Sequence, residues 1–82
     1  MKRKKDIPKW AIEFRVFCAR KDLTVEDVAN FTGLSRTIVS LYRVGKKRPS
    51  LKSCEKMKKG IGFDMYKALY ESYREENENE QN

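Results

Sequence analysis

Four cations, Arg43, Lys46, Lys47 and Arg48, fall within six residues of one another. Arg36, Thr37 and Ser40 stand just before them, all hydrogen-bond donors without negative charge. This set suits a polyanion: the cations can neutralise phosphates, and guanidinium and hydroxyl groups can bond to base edges. It does not suit catalysis. The chain has no His, the side chain most used for acid–base work at neutral pH. No nucleophile–base pair or phosphate-binding loop is visible. Carboxylates sit mostly at helix caps and in the C-terminal tail, so an enzyme is not expected. Cys18 and Cys54 are far apart and have no His to join them, so neither a metal nor another cofactor is expected.

The elements that position these side chains lie between Val25 and Val44. Thr24 is a helix N-cap, with Asp27 three residues on as its capping-box partner. The helix it starts spans about Val25 to Phe31. Gly33 follows, where a sharp turn needs positive φ. Ser35 caps a second helix, about Arg36 to Arg43, with Val39 and Tyr42 at i, i+3 on its inner face. Two short helices joined by a tight turn form a helix-turn-helix layout. Ala29 is small enough for a close crossing, and Leu34 helps anchor the second helix.

At these residues the sequence resembles the Cro/repressor-type (Xre-like) helix-turn-helix family. Leu23-Thr24, Val28-Ala29, Thr32-Gly33-Leu34-Ser35, Val39-Ser40, Gly45-Lys46 and Pro49-Ser50-Leu51 carry the resemblance, which covers roughly residues 14–63. It implies an all-α fold, a compact five-helix bundle of the lambda-repressor-like DNA-binding type. Helices 2 and 3 would form the helix-turn-helix. It also implies a sequence-specific regulator of transcription that binds double-stranded DNA, like phage repressors and regulators of mobile elements.

The resemblance places helix 3 in the major groove. Arg36, Thr37, Ser40 and Leu41 are then the expected base-reading residues. Arg36 can bond guanine O6 and N7, and Leu41 can pack on a thymine methyl group. Phosphate contacts are expected from Thr24, Ser35, Arg43, Lys46, Lys47 and Arg48, and from the N-termini of helices 2 and 4. Four positions depart from the family pattern, one of them Phe31, where the family usually has a polar residue. Cys18 replaces a common basic residue, Val25 a common Gln that bonds the DNA backbone, and Arg43 a common Glu.

Composition supports the same partner. The 82 residues allow one small domain, and the formal net charge is +7. Residues 1–59 hold 17 basic and 6 acidic side chains, whereas residues 60–82 hold 2 and 6. No apolar run is long enough for a transmembrane helix. No apolar segment follows the basic start Met1-Lys2-Arg3-Lys4-Lys5, so a secretory signal is not expected. A cytoplasmic, nucleoid-associated protein without a membrane partner is the expectation. Both cysteines fall at apolar positions and read as buried thiols.

The rest of the chain divides simply. Residues 1–6 read as a flexible basic arm, 7–75 as the domain and 76–82 as a disordered acidic tail. Helix 1 is expected from about Pro8 to Arg20, with Trp10, Phe14 and Phe17 as its apolar stripe. Ile12 and Val16 lie off that stripe. Phe31 is expected to pack onto helix 1. Helix 4 is expected from about Leu51 to Lys59, capped by Ser50 after Pro49. Gly60-Ile61-Gly62 reads as its C-cap and turn.

Helix 5 is expected from about Met65 to Glu75, capped by Asp64. Met65, Ala68, Leu69 and Ser72 form one face, and Tyr66, Tyr70 and Tyr73 an adjacent aromatic one. So much apolar surface exceeds what one side of a small core requires. Tyr66, Leu69, Tyr70 and Tyr73 are therefore the expected interface of a homodimer that would place two recognition helices on an inverted repeat. A second reading stays open: a protein-interaction module on the same fold, such as an antitoxin or an inhibitor of another protein. Val25, Phe31 and the tyrosine face leave room for it.

Overall fold

A computed structural model describes residues 7–81, with side chains described through residue 75. The expected basic arm, residues 1–6, lies outside the described residues. Among those described, the fold is five helices without strands: α1 Lys9–Arg20, α2 Val25–Thr32, α3 Arg36–Val44, α4 Leu51–Ile61 and α5 Met65–Gln81. Each start has a local cause. Pro8 precedes α1 with φ −57° and ψ 150°, so it is the N-cap rather than a first-turn residue. Thr24 and Asp27 form a complete capping box on α2. Ser35 and Ser50 accept from the N–H groups of Ile38 and Ser53. Asp64 accepts from the N–H of Lys67 at 3.0 Å. Such caps contribute about 1 kcal/mol each.

The helix ends are equally local. Gly33, Gly45 and Gly62 close α2, α3 and α4 in the left-handed conformation, which other residues adopt only with strain. The α5 helix has no such stop. It runs to Gln81, across residues 76–81 expected to be disordered. Glu and Gln favour helix, and neither Gly nor Pro follows Gly62.

The core sits where the inner faces of all five helices meet. Trp10, Ala11, Phe14 and Cys18 from α1 face Val28, Val39, Tyr42, Cys54 and Met57. Met65, Ala68 and Leu69 close it from α5, beside Phe63 in the preceding turn. The Phe63 ring lies 5.6 Å from Phe14 and 5.0 Å from Phe17, tilted against both. Ile12 and Val16 are exposed. Cys18 and Cys54 are buried free thiols, as their apolar positions suggest. Burial pushes both thiols above their ordinary pKa, because a desolvated thiolate is disfavoured.

Helix α1 packs on α3 and α5, while α2 packs on α3 and α4. This corrects the expectation for Phe31, which does not pack on α1 and is 60% exposed. The end of α2 instead meets α4 through the backbone. Gly60 lies inside α4, not in the turn beyond it. A Cβ there would run into the Phe31 carbonyl and the Thr32 Cα. Glycine is therefore required at Gly60 by close approach, not by turn geometry.

Candidate functional site

The turn between α2 and α3 is fixed by one buried hydroxyl. Thr32 Oγ1 donates to the Val28 carbonyl at 2.6 Å and accepts from the Leu34 N–H at 3.2 Å. The Leu34 N–H lies just beyond the end of α2, where backbone groups lack helical partners. Ala29, 8% exposed, sits under the crossing. Helix α3 then buries Val39 and Tyr42, with Ile38 partly buried beside them. Ile38 is a third anchor that sequence inspection passes over, although it lies four residues from Tyr42 on the same helical face.

The opposite face of α3 is open. Arg36, Thr37 and Ser40 are exposed. They share one side because their spacing of one and three residues keeps them within about half a helical turn. Leu41 differs from expectation: it is half-buried, at the margin between the outer face and the buried Tyr42. Only part of its side chain is available to a partner. Arg36 Nη1 lies 3.9 Å from Glu26 Oε1 on α2, and both side chains are largely exposed.

The cationic residues follow at the far end of α3. Lys46, Lys47 and Arg48 are exposed in the loop before α4. Arg43 is half-buried, and its carbonyl accepts from Arg15 Nη1 at 3.5 Å. The loop is held at both sides. A Cβ on Gly45 would strike the Pro8 ring, so the segment entering α1 packs against the end of α3. On the other side a hydroxyl cluster joins α3 to α4. Tyr42 Oη donates to Ser53 Oγ at 3.0 Å, and Ser50 Oγ donates to the same atom at 3.2 Å. This cluster is invisible in the sequence, where Ser53 is one polar residue among several on α4.

Thr24 and Ser35 are exposed at the starts of α2 and α3. Their oxygens accept the capping bonds, while each hydroxyl proton remains a separate donor. The helix starts differ in charge. Helix α2 has Glu26 and Asp27 in its first turn, whereas α3 and α4 have no acidic residue there. The N-termini of α3 and α4 thus keep their positive dipole ends unneutralised by their own residues, and α4 suits an anion better than α2.

The expected helix 5 set is divided by the fold. Tyr66, Tyr70 and Tyr73 are 54–59% exposed, but Leu69 is 9% exposed and belongs to the core. Leu69 is thus a core residue whose remaining edge also lines the groove between the tyrosines. Helical spacing explains the split, since Leu69 follows Met65 by four residues and lines up with it and Ser72 on the inner face. The tyrosines flank a groove of about 380 Å³, with Arg48, Pro49, Leu51 and Cys54 lining it as well.

No helix among the described residues is long and apolar enough to cross a membrane. No family model matches the chain, and no curated protein or solved structure is significantly similar to it.

Proposed function

We propose that this protein is a sequence-specific DNA-binding regulator of the lambda-repressor-like helix-turn-helix type, with α2 and α3 as the helix-turn-helix. The observation that carries this reading is the polarity of α3. Its inner face is anchored by Val39 and Tyr42, and its outer face offers Arg36, Thr37 and Ser40 to solvent. Lys46, Lys47 and Arg48 extend that face with three exposed cations. Arg36, Thr37, Ser40 and the exposed edge of Leu41 read base edges in the major groove. Thr24, Ser35, Arg43 and the loop cations hold phosphates. The protein acts in the cytoplasm, at the nucleoid.

Two copies pair through Tyr66, Tyr70 and Tyr73 and occupy an inverted repeat, with recognition helices about 34–36 Å apart. Tyrosine suits such a face because it buries a large ring and keeps a polar tip. Selection of bound duplexes from a random pool tests this reading. An enriched inverted repeat, retained against excess random competitor, is the expected result. A pool that stays random at every salt concentration rejects it. In that case the exposed Phe31 and the tyrosine groove favour a protein-interaction module on the same scaffold.

A further inference from the structure

The only acidic side chain paired with the outer face of α3 among the described residues is Glu26, and the pairing has a cost that needs an explanation. Glu26 stands in the first turn of α2, two residues from Thr24 and on the side that faces Arg36. A carboxylate there repels phosphates, so it weakens any binding that depends on charge alone. As a source of stability the pair is poor. Its atoms are 3.9 Å apart, and its side chains are 71% and 67% exposed, where ion pairs contribute little.

We propose that Glu26 is a specificity-determining residue of this site, acting on Arg36. The inference rests on the DNA-binding reading given above. Arg36 opens α3, a helix without an acidic residue in its first turn. A cation at that end is disfavoured by the helix dipole, and a flexible guanidinium can swing to the nearest phosphate instead of a base. The Glu26 carboxylate, 3.9 Å from Nη1, offsets the dipole and draws the guanidinium toward α2. The exposed guanidinium keeps N–H groups for a partner, and two of them can meet guanine O6 and N7 as a fork. Moving Arg36 to a phosphate would break the pair and leave Glu26 facing like charge. Contact with guanine leaves the pair intact. Glu26 thus penalises nonspecific binding more than specific binding, which raises the ratio between them.

The test uses the full chain as wild type, Glu26→Gln, Arg36→Ala and the double variant. Each is titrated against the duplex selected by the wild type and against a random duplex of equal length, at three salt concentrations. Thermal melts establish that each variant is folded. Glu26→Gln should bind random DNA about two- to fivefold more tightly and lose about two- to fivefold in the specific-to-random ratio. In the Arg36→Ala background the same change should still tighten random binding, yet leave the ratio unmoved. An unchanged ratio in Glu26→Gln overturns the inference while the DNA-binding reading stands. An equal fall of the ratio in the Arg36→Ala background also overturns it, since Glu26 would then act without Arg36. A wild type that selects no sequence overturns the inference and the underlying reading together.

Discussion

Helices α3 and α5 are built alike on their inner sides and oppositely on their outer ones. Each buries a stripe at helical spacing: Val39 and Tyr42 on α3, and Met65, Ala68, Leu69 and Ser72 on α5. Outside, α3 carries Arg36, Thr37 and Ser40, and α5 carries Tyr66, Tyr70 and Tyr73. The inner stripes are interchangeable in kind, since both need only volume and low polarity. The outer faces are not. Guanidinium and hydroxyl groups recognise hydrogen-bonding partners, whereas exposed aromatic rings gain most from being covered. Function is therefore to be sought in what each helix leaves uncovered, and substitutions on the two faces should fail in different ways.

The largest contrast is expected within α5 itself. Leu69→Ala removes a buried side chain and should lower stability by about 2–5 kcal/mol, read from urea denaturation. Tyr73→Glu changes an exposed residue and should alter stability by less than about 0.5 kcal/mol. It should nevertheless shift the sedimentation of the protein from dimer to monomer. If Tyr73→Glu remains dimeric while folded, the tyrosine face is not the interface.

That division of α5 was only half legible in the sequence. The spacing of Met65, Ala68, Leu69 and Ser72 defines an inner face, but Leu69 lies next to Tyr70 and is apolar enough for either side. Only the packing of α5 on the rest of the fold decides it. The caps are a different case. Thr24, Ser35, Ser50 and Asp64 announce their helices because a side-chain oxygen and a nearby N–H form a purely local bond. The roles of Phe31 and Gly60 escape a local reading for the opposite reason. They depend on α2 meeting α4 across the fold, and no local pattern encodes that meeting. Likewise, Leu41 is on the margin of two faces, where periodicity alone cannot apportion exposure.

Gly60→Ala sharpens the point about nonlocal contacts. In an isolated helix this change would be stabilising, since Ala is the better helix former. Here the added Cβ meets backbone rather than a movable side-chain end. A loss of about 1–3 kcal/mol is expected, visible as a lower melting temperature. A gain would show that α2 and α4 are not in such close contact.

On α3 the expected effects fall on binding rather than folding. Arg36→Ala should cost about 1–3 kcal/mol on the selected site and relax preference at one base pair. Lys46→Ala with Lys47→Ala should weaken specific and random binding alike and flatten the dependence on salt. The two outcomes are measured in one set of titrations. If Arg36→Ala lowers both affinities by the same factor, Arg36 is a phosphate contact. If the loop variant keeps the wild-type salt slope, Lys46 and Lys47 lie outside the interface.

The smallest effect is expected where α3 joins the loop, at Tyr42→Phe. The change keeps the buried ring and removes one hydroxyl, so it deletes the bond to Ser53 Oγ without opening a cavity. Ser53 Oγ still accepts from Ser50, which prevents an orphaned buried acceptor. The stability loss should then be about 0.5–1.5 kcal/mol, the usual net value of one hydrogen bond. The loop it helps to hold carries Lys46, Lys47 and Arg48, so a slackened α3–α4 junction should also raise the Kd for DNA modestly. Specificity should be unaffected, because the variant touches none of the residues proposed to read bases. A fall in the specific-to-random ratio comparable to that of Arg36→Ala would mean that Tyr42 sets the angle of α3 itself, and not only the position of the loop behind it.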